Sequence, residues 1–354
     1  MRECPDIQLD FKMAPKTEAS VYLHNKVTVL DIDPIGPYVR NKQSHIVCIG
    51  SHQALISEDE GQTWQAYDLF SSKDFLIHDA RSLCVSDSGL IVVGFLNMAQ
   101  AHFKWHKKAN KPTQNTRLNL WSVRSLDGGK TWEEPVRVQK GYCGSTTTMI
   151  SLSSGALLMA AQNLDYAAGR HYSLTYLSED DGQTWQASNK IDIGGQGHHG
   201  GCYEGTLLEL NDGRIWYLIR TNLDWFWNGY SDNQGLTWTY LEPGMTASSS
   251  PGMLSRLQSG RLVLAYNQLT KEGETTAPRI AGLFSDVPAS WQREELSIRL
   301  SDDDGQTWTD PVVIASCKGA WLSYCSLFEA KPGEVWLTTM QSQLKLKLIE
   351  NDFI

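Results

Sequence analysis

The sequence predicts an all-β chain folded as a six-bladed β-propeller. Three observations carry that expectation. One octapeptide recurs five times, apolar glycine-centred hairpins recur between its copies, and no linker or low-complexity segment interrupts the 354 residues. The octapeptide reads S-x-D-x-G-x-T-W at residues 57–64, 125–132, 178–185 and 301–308. A fifth copy at 231–238 carries Asn233 at the acidic position.

Each residue type has a physical reason for its place. Asp or Asn turns the chain by hydrogen-bonding its own downstream backbone. Glycine two residues later accepts the positive φ that a tight turn needs. Thr and Trp are expected to open the following strand, with the indole filling the space between neighbouring sheets. The acidic cluster lacks the bidentate Glu that closes a calcium loop, so the copies read as structural turns. The second pattern places Gly89, Gly155, Gly213, Gly260 and Gly333 between two apolar, β-rich runs. One such hairpin followed by one octapeptide hairpin gives four strands, which is one blade. Blades therefore fall near 37–70, 78–137, 142–190, 197–240 and 246–313. The last hairpin, 320–354, has no octapeptide after it. It is expected to take an N-terminal strand from near residues 21–33, which removes an exposed sheet edge. A single domain over residues 1–354 follows. Insertions around 97–118 and 268–292 are expected on one face, where long loops shape sites.

Composition narrows the function classes. Hydrophobic residues make up 41% and charged residues 20%, enough apolar matter for a packed core. A net charge of −9 argues against nucleic acid as a partner of the body of the protein. The stretch 104–111 is basic but isolated, and reads as a solvated loop. Seven scattered cysteines without a C-x-x-C pair suggest neither a disulfide framework nor a zinc site. The polar N-terminus lacks the apolar core of a signal peptide, and no apolar run approaches the roughly 20 residues of a membrane span. A cytoplasmic protein without membrane association is the expectation. No cofactor or metal is expected, and the sequence leaves the oligomeric state open.

The repeated octapeptide on six blades resembles the sialidase superfamily, and the resemblance covers nearly the whole chain. That family holds a substrate carboxylate with three arginines, uses a Tyr nucleophile activated by a Glu, and an Asp as acid/base. A phenol suits an anionic sugar because a carboxylate nucleophile would repel it. The run from Cys202 to Arg220 resembles the family's Glu…Leu-x-Asp-Gly…Arg strand pair. On that resemblance Glu204 activates the nucleophile and Arg220 binds the carboxylate; a structural ion pair is the alternative. An antiparallel hairpin returns its ends to one face, so the two side chains should be neighbours. Residues 323–327 resemble the Tyr-Ser-Ser-Leu stretch that bears the nucleophile, which makes Tyr324 the candidate. Residues 293–301 resemble the strand that carries a carboxylate-binding arginine, placing Arg293 there, or Arg299 in the alternative phase.

The N-terminal part departs from the pattern. The family's first-blade Arg-Ile-Pro is replaced by Ile35, Gly36 and Pro37, and Arg40 falls near the turn. The nearest substitutes are Asp79 and Arg81 in the second blade, read as acid/base and as a further cation. His198 and His199 lie just before Glu204; His199 offers a second acid/base source, since histidine titrates near neutral pH, and His198 is a candidate substrate contact. Adjacent residues on an extended chain point apart, which disfavours a metal pair there. Trp227, after Arg220, is a candidate sugar platform, with inter-blade packing as its competitor. Asn97, Gln162, Asn163, Asn222 and Asn267 each follow a second strand and suggest a polar face for hydroxyl groups. The resulting expectation is a sialidase-like exo-glycosidase on a terminal acidic sugar (sialic acid, a related keto-acid sugar or a uronic acid). A propeller lyase or hydrolase using His and Tyr, and a non-catalytic glycan-binding propeller, are the alternatives.

Overall fold

Six antiparallel sheets stand around a common axis in the computed structural model, which describes residues 1–10, 14–281 and 288–354. The innermost strands are Tyr38–Arg40, Ser82–Val85, Met149–Ser151, Cys202–Glu209, Met253–Arg256 and Cys325–Lys331. Each contacts the next, and the last contacts the first, so the ring is closed. Each blade then runs outward through three more antiparallel strands, with one extra strand in the third sheet and two in the fifth. In the first blade these are Ile46–Ile49, Gln53–Ser57 and Gln65–Asp68. The six-bladed propeller expected from the repeats is the fold observed.

The core divides the same way. Six apolar clusters lie one per seam. Val47, Ile56 and Val93 fill the first-to-second seam, for example, and Tyr38, Ile46 and Trp336 the sixth-to-first. Burying one such side chain stabilises by about 1.5–3 kcal/mol, so the seams carry most of the fold's driving force.

The octapeptide turns are built by their own side chains. Asp59 Oδ1 accepts from the Thr63 amide at 2.8 Å and its Oδ2 from the Thr63 hydroxyl at 2.6 Å. Ser57 Oγ donates to Asp59 and accepts from Gly61 N at 2.7 Å. In the variant copy Asn233 Oδ1 accepts from Thr237 N at 2.9 Å, while its amide donates to the Thr237 hydroxyl at 3.0 Å. The amide thus reverses the direction of one bond and keeps the turn. Thr63 and Trp64 precede the strand Gln65–Asp68 instead of opening it, because they are still held by the turn: Trp64 Nε1 donates back to Gly61 O at 3.1 Å.

The turn glycines also seat against the preceding blade. A Cβ on Gly61 (φ +89°) would lie 2.8 Å from Trp336 of the sixth blade. On Gly235 it would lie 2.6 Å from Leu158, and on Gly305 2.6 Å from Trp216. These seats run around the ring, blade upon preceding blade.

The sixth blade is completed by Thr28–Val29, which pairs with Lys345–Ile349. Val21–Leu23, also within the expected N-terminal strand region, pairs instead with Val312–Ser316 of the fifth blade. Arg2–Cys4 pairs outside it, a strand too short and polar to have been expected. The 97–118 insertion forms a small hairpin of Trp105–His106 with Lys111–Pro112. Of the 268–292 insertion, residues 282–287 lie outside the described residues. No helix among the described residues is long and apolar enough to cross a membrane.

Candidate active site

Three blades bring four charged or phenolic side chains together near the axis. Glu204 belongs to the inner strand of the fourth blade and Arg220 to the neighbouring strand Ile215–Thr221. The register between these strands slips between Cys202 and Gly205, and this bulge turns Glu204 toward Arg220. Arg220 Nη1 lies 2.8 Å from Glu204 Oε2. Tyr324, from the sixth blade, donates its hydroxyl to Glu204 Oε1 at 2.7 Å and accepts from Arg220 Nη1 at 3.1 Å. The expected convergence of Glu204, Arg220 and Tyr324 is therefore present. Tyr324 stands just before the inner strand Cys325–Lys331 and not within it. It precedes Cys325 with φ +60°, a left-handed conformation that costs a non-glycine residue on the order of 1 kcal/mol or more.

Arg293 joins from the fifth blade, in the segment before Glu295–Ser301. Its guanidinium is buried and lies 4.8 Å from the centre of Trp321, 5.2 Å from Trp291 and 5.6 Å from Tyr324. Arg299, the alternative phase, lies within that strand and is paired with Leu264. Arg293 Nη1 donates to Gln341 Oε1 at 2.8 Å and Nη2 to Ser249 O at 2.7 Å. Both acceptors are neutral. Among the described residues no carboxylate pairs with Arg293, whereas Arg220 has Glu204.

The electrostatics follow from that imbalance. Burial pushes the Tyr324 phenol up to about 12, and the Glu204 charge adds to it against Arg220 and Arg293. Burial raises Glu204 too, but Arg220 and the Tyr324 hydroxyl outweigh it and hold the carboxyl below its usual range. The proton therefore rests on the phenol. Burial, then the charge of Arg220, loosens Arg293's hold on its own proton. A second anion beside Arg293 would relieve both costs.

Asp79, Arg81 and Tyr324 line one axial cavity, together with Gly36, Pro37 and Met253. Arg81 is buried, and its Nη1 lies 3.6 Å from Asp79 Oδ1, whose side chain is 36% exposed. Its Nη1 also donates to Asp79 O at 3.2 Å. The second-blade pair thus faces the wall formed by the residues that replace Arg-Ile-Pro. Arg40 is elsewhere, pairing with Glu60 at 2.7 Å.

The histidines border the cluster. His199 lies 6.0 Å from Tyr203 and 6.2 Å from Trp291, ring to ring, and its carbonyl accepts from Asn222 Nδ2 at 2.7 Å. His198 packs against Phe103 at 4.5 Å, and burial lowers its pKa to about 4. His198 is therefore neutral at physiological pH, which fits a packed wall better than a proton donor. Trp227 is not brought to the site. It packs into the seam between the third and fourth blades, opposite Ile219. Nor do the amides form a polar face. Asn97, Gln162, Asn163, Asn222 and Asn267 are all buried, and most hold loop backbone: Asn97 accepts from Leu76 N and Asn267 donates to Leu322 O. An amide at a strand end satisfies the orphaned backbone of the next loop, and that need outweighs ligand display.

Sequence reasoning missed Ser249 and Gln341. Ser249 Oγ accepts from Arg220 Nε at 3.2 Å and Nη2 at 3.1 Å, while its carbonyl holds Arg293. The signal was positional: Ser249 precedes an inner strand, as Tyr324 does.

A six-bladed propeller with this axial cluster is a fold of the sialidase superfamily. Residues 93–337 match the family described as the BNR repeat-like domain, which is well over half of the chain, and the chain belongs to that family. It is 26% identical over 211 residues to a sialidase of Clostridium perfringens, covering 53% of this chain and 52% of that protein. Against a Paraclostridium sordellii sialidase the identity is 23%, over 71% of this chain and 63% of that one. The chain thus spans about half to two-thirds of these relatives' length. Among solved structures, a Hadza microbial sialidase superposes with a TM-score of 0.63 at 16% identity, over 90% of this chain and 65% of that one. A Dyadobacter fermentans protein of unknown function gives the same score and identity, over 92% and 98%. The Trypanosoma rangeli sialidase in complex with sialic acid gives 0.56 at 16% identity, over 95% and 59%. These likenesses are of fold.

Proposed function

We propose that this chain is an exo-glycosidase that releases a terminal acidic sugar, sialic acid or a close keto-acid or uronic relative. The observation that carries the reading is Arg293, a buried cation whose hydrogen bonds among the described residues go to neutral acceptors, beside a phenol bonded to a carboxylate at 2.7 Å. A sugar carboxylate bound at Arg293 and Arg220 balances the charge and sets the anomeric carbon over Tyr324. The phenol then attacks that carbon as its proton passes to Glu204 Oε1. The developing positive charge of the sugar offsets the cost of ionising a phenol of pKa about 12. Asp79 gives a proton to the departing oxygen, then takes one from the water that cleaves the tyrosyl–sugar bond, and Glu204 returns its proton to the released phenolate. Arg81 orients Asp79 and faces the same cavity, in the stead of the family's first-blade arginine. The relatives named sialidases support this substrate class.

The test is a screen of fluorogenic sialic-acid, keto-acid and uronic-acid glycosides. Tyr324→Phe and Glu204→Ala are expected to lose about 10²–10⁴ in kcat. Unchanged activity in both variants refutes the site. Inactivity of the unaltered protein on every glycoside leaves a glycan-binding propeller.

A further inference from the structure

The basic stretch that reads in the sequence as a solvated loop has a definite place. Residues 98–126 contain no Asp or Glu, in a chain whose net charge is −9. Lys104, Lys107, Lys108, Lys111 and Arg117 are exposed, and among the described residues none of them forms a salt bridge. The segment is pinned. The Thr116 hydroxyl donates to Lys104 O at 2.7 Å, and Trp105 Nε1 donates to Asn110 Oδ1 at 3.0 Å. Arg117 Nε donates to Gln100 O at 3.1 Å, and the Tyr166 hydroxyl of the third blade reaches Thr116 O.

This cationic hairpin carries an apolar face toward the site. Phe103 is 43% exposed, near-parallel to Trp105 at 6.3 Å and 4.5 Å from His198. From His198 the rings continue to His199 at 4.2 Å, and from His199 to Trp291 at 6.2 Å. Trp291 lies 5.6 Å from the Arg220 guanidinium. One unbroken wall of rings thus joins the exposed cations to the group that would hold the terminal sugar.

We propose that this wall is a second subsite, for the further units of an extended anionic glycan. Aromatic faces accept the apolar face of a sugar ring, and unpaired ammonium groups accept carboxylates or sulfates along the chain. An otherwise acidic surface repels the same polymer, so the hairpin sets where it lies. The substrate class is then an acidic oligosaccharide charged beyond its terminal unit. This inference rests on the reading of Arg220 and Arg293 as the terminal-sugar site.

Binding to the Tyr324→Phe protein tests it without turnover. The probes are a sialic-acid trimer, the same trimer with all carboxylates methyl-esterified, and free sialic acid, titrated by calorimetry. The trimer is expected to bind more tightly than the monosaccharide, and esterification to abolish the preference. Lys107→Glu with Lys108→Glu should cut the trimer-to-monosaccharide affinity ratio about tenfold, with a loss that shrinks at high salt. Both positions are exposed, so folding is spared. Equal ratios in the two proteins, equal binding of acid and ester, or no trimer binding overturns the proposal. Failure of the glycosidase reading looks different: the unaltered protein cleaves no small glycoside, while the lysine dependence of trimer binding stands.

Discussion

One buried guanidinium, Arg293, separates the proposed binding site from a plain ion pair. Arg220 and Glu204 neutralise one another and would suit a structural role alone. Arg293 does not fit that account, since among the described residues its hydrogen bonds go to the neutral Gln341 and Ser249 and its other neighbours are aromatic rings. Arg293→Lys keeps the charge but not the planar fork between Trp291 and Trp321. Steady-state kinetics on a cleaved glycoside should show KM raised about tenfold or more, with kcat less affected. A fall in kcat alone would mean that Arg293 acts on Tyr324 and not on substrate. The convergence of Glu204, Arg220 and Tyr324 was legible because each stands at or beside an end of a strand in a repeated hairpin. Ser249 was not, since its place before an inner strand carries no chemical meaning until the two arginines it bridges are known. Trp227 misled for the same reason: an aromatic two residues from a solvent-exposed one can face either the site or a seam.

The octapeptide turn is a self-contained element, and its tolerance can be read from its own variant. Asn233 makes the same contacts to Thr237 that Asp59 makes to Thr63. Asp303→Asn should therefore cost less than about 1 kcal/mol, and Asp303→Ala about 1–2 kcal/mol, by urea midpoints. Equal costs would show that the carboxylate charge matters, not the bonds. Gly61→Ala should be worse than either, because its φ of +89° is strained for alanine and Trp336 blocks the new methyl. Strand count and blade order were legible because period and turn chemistry repeat. The strand Val21–Leu23 was legible as a strand, but not as a partner of the fifth blade. Pairing of an edge depends on which neighbour offers an unpaired strand, and that is a property of the closed ring.

At the scale of the molecule, acid should act in two stages. His171 and His198 are lowered to about 4 by burial, with the charge of His198 adding for His171. Both are neutral in the fold, so stability present above about 6.5 is lost as pH falls from there to about 4. Asp59 is held at about 2 by the Thr63 hydroxyl and amide, and Glu204 is lowered as well. Their contributions are present above the ordinary carboxylate range and vanish as pH falls toward about 2. Denaturation midpoints measured from pH 8 to 2 should decline in both windows; a flat curve between 6.5 and 4 would contradict the buried neutral histidines. The ring has one seam of a different kind. The sixth blade has no octapeptide glycine to rest on the fifth, and there the N-terminal segment reaches across instead. Val21–Leu23 pairs on one side and Thr28–Val29 on the other, with Val21, Leu23 and Val27 in the core between. Arg293 stands on the fifth blade and Tyr324 on the sixth, so this joint runs through the candidate site. Warming is expected to loosen this clasp first and so to separate Arg293 from Tyr324 before the other five seams part. The protein is then expected to behave like a fuse: cleavage of a glycoside should end at a lower temperature than the far-ultraviolet signal of the propeller, and coincident losses would contradict this.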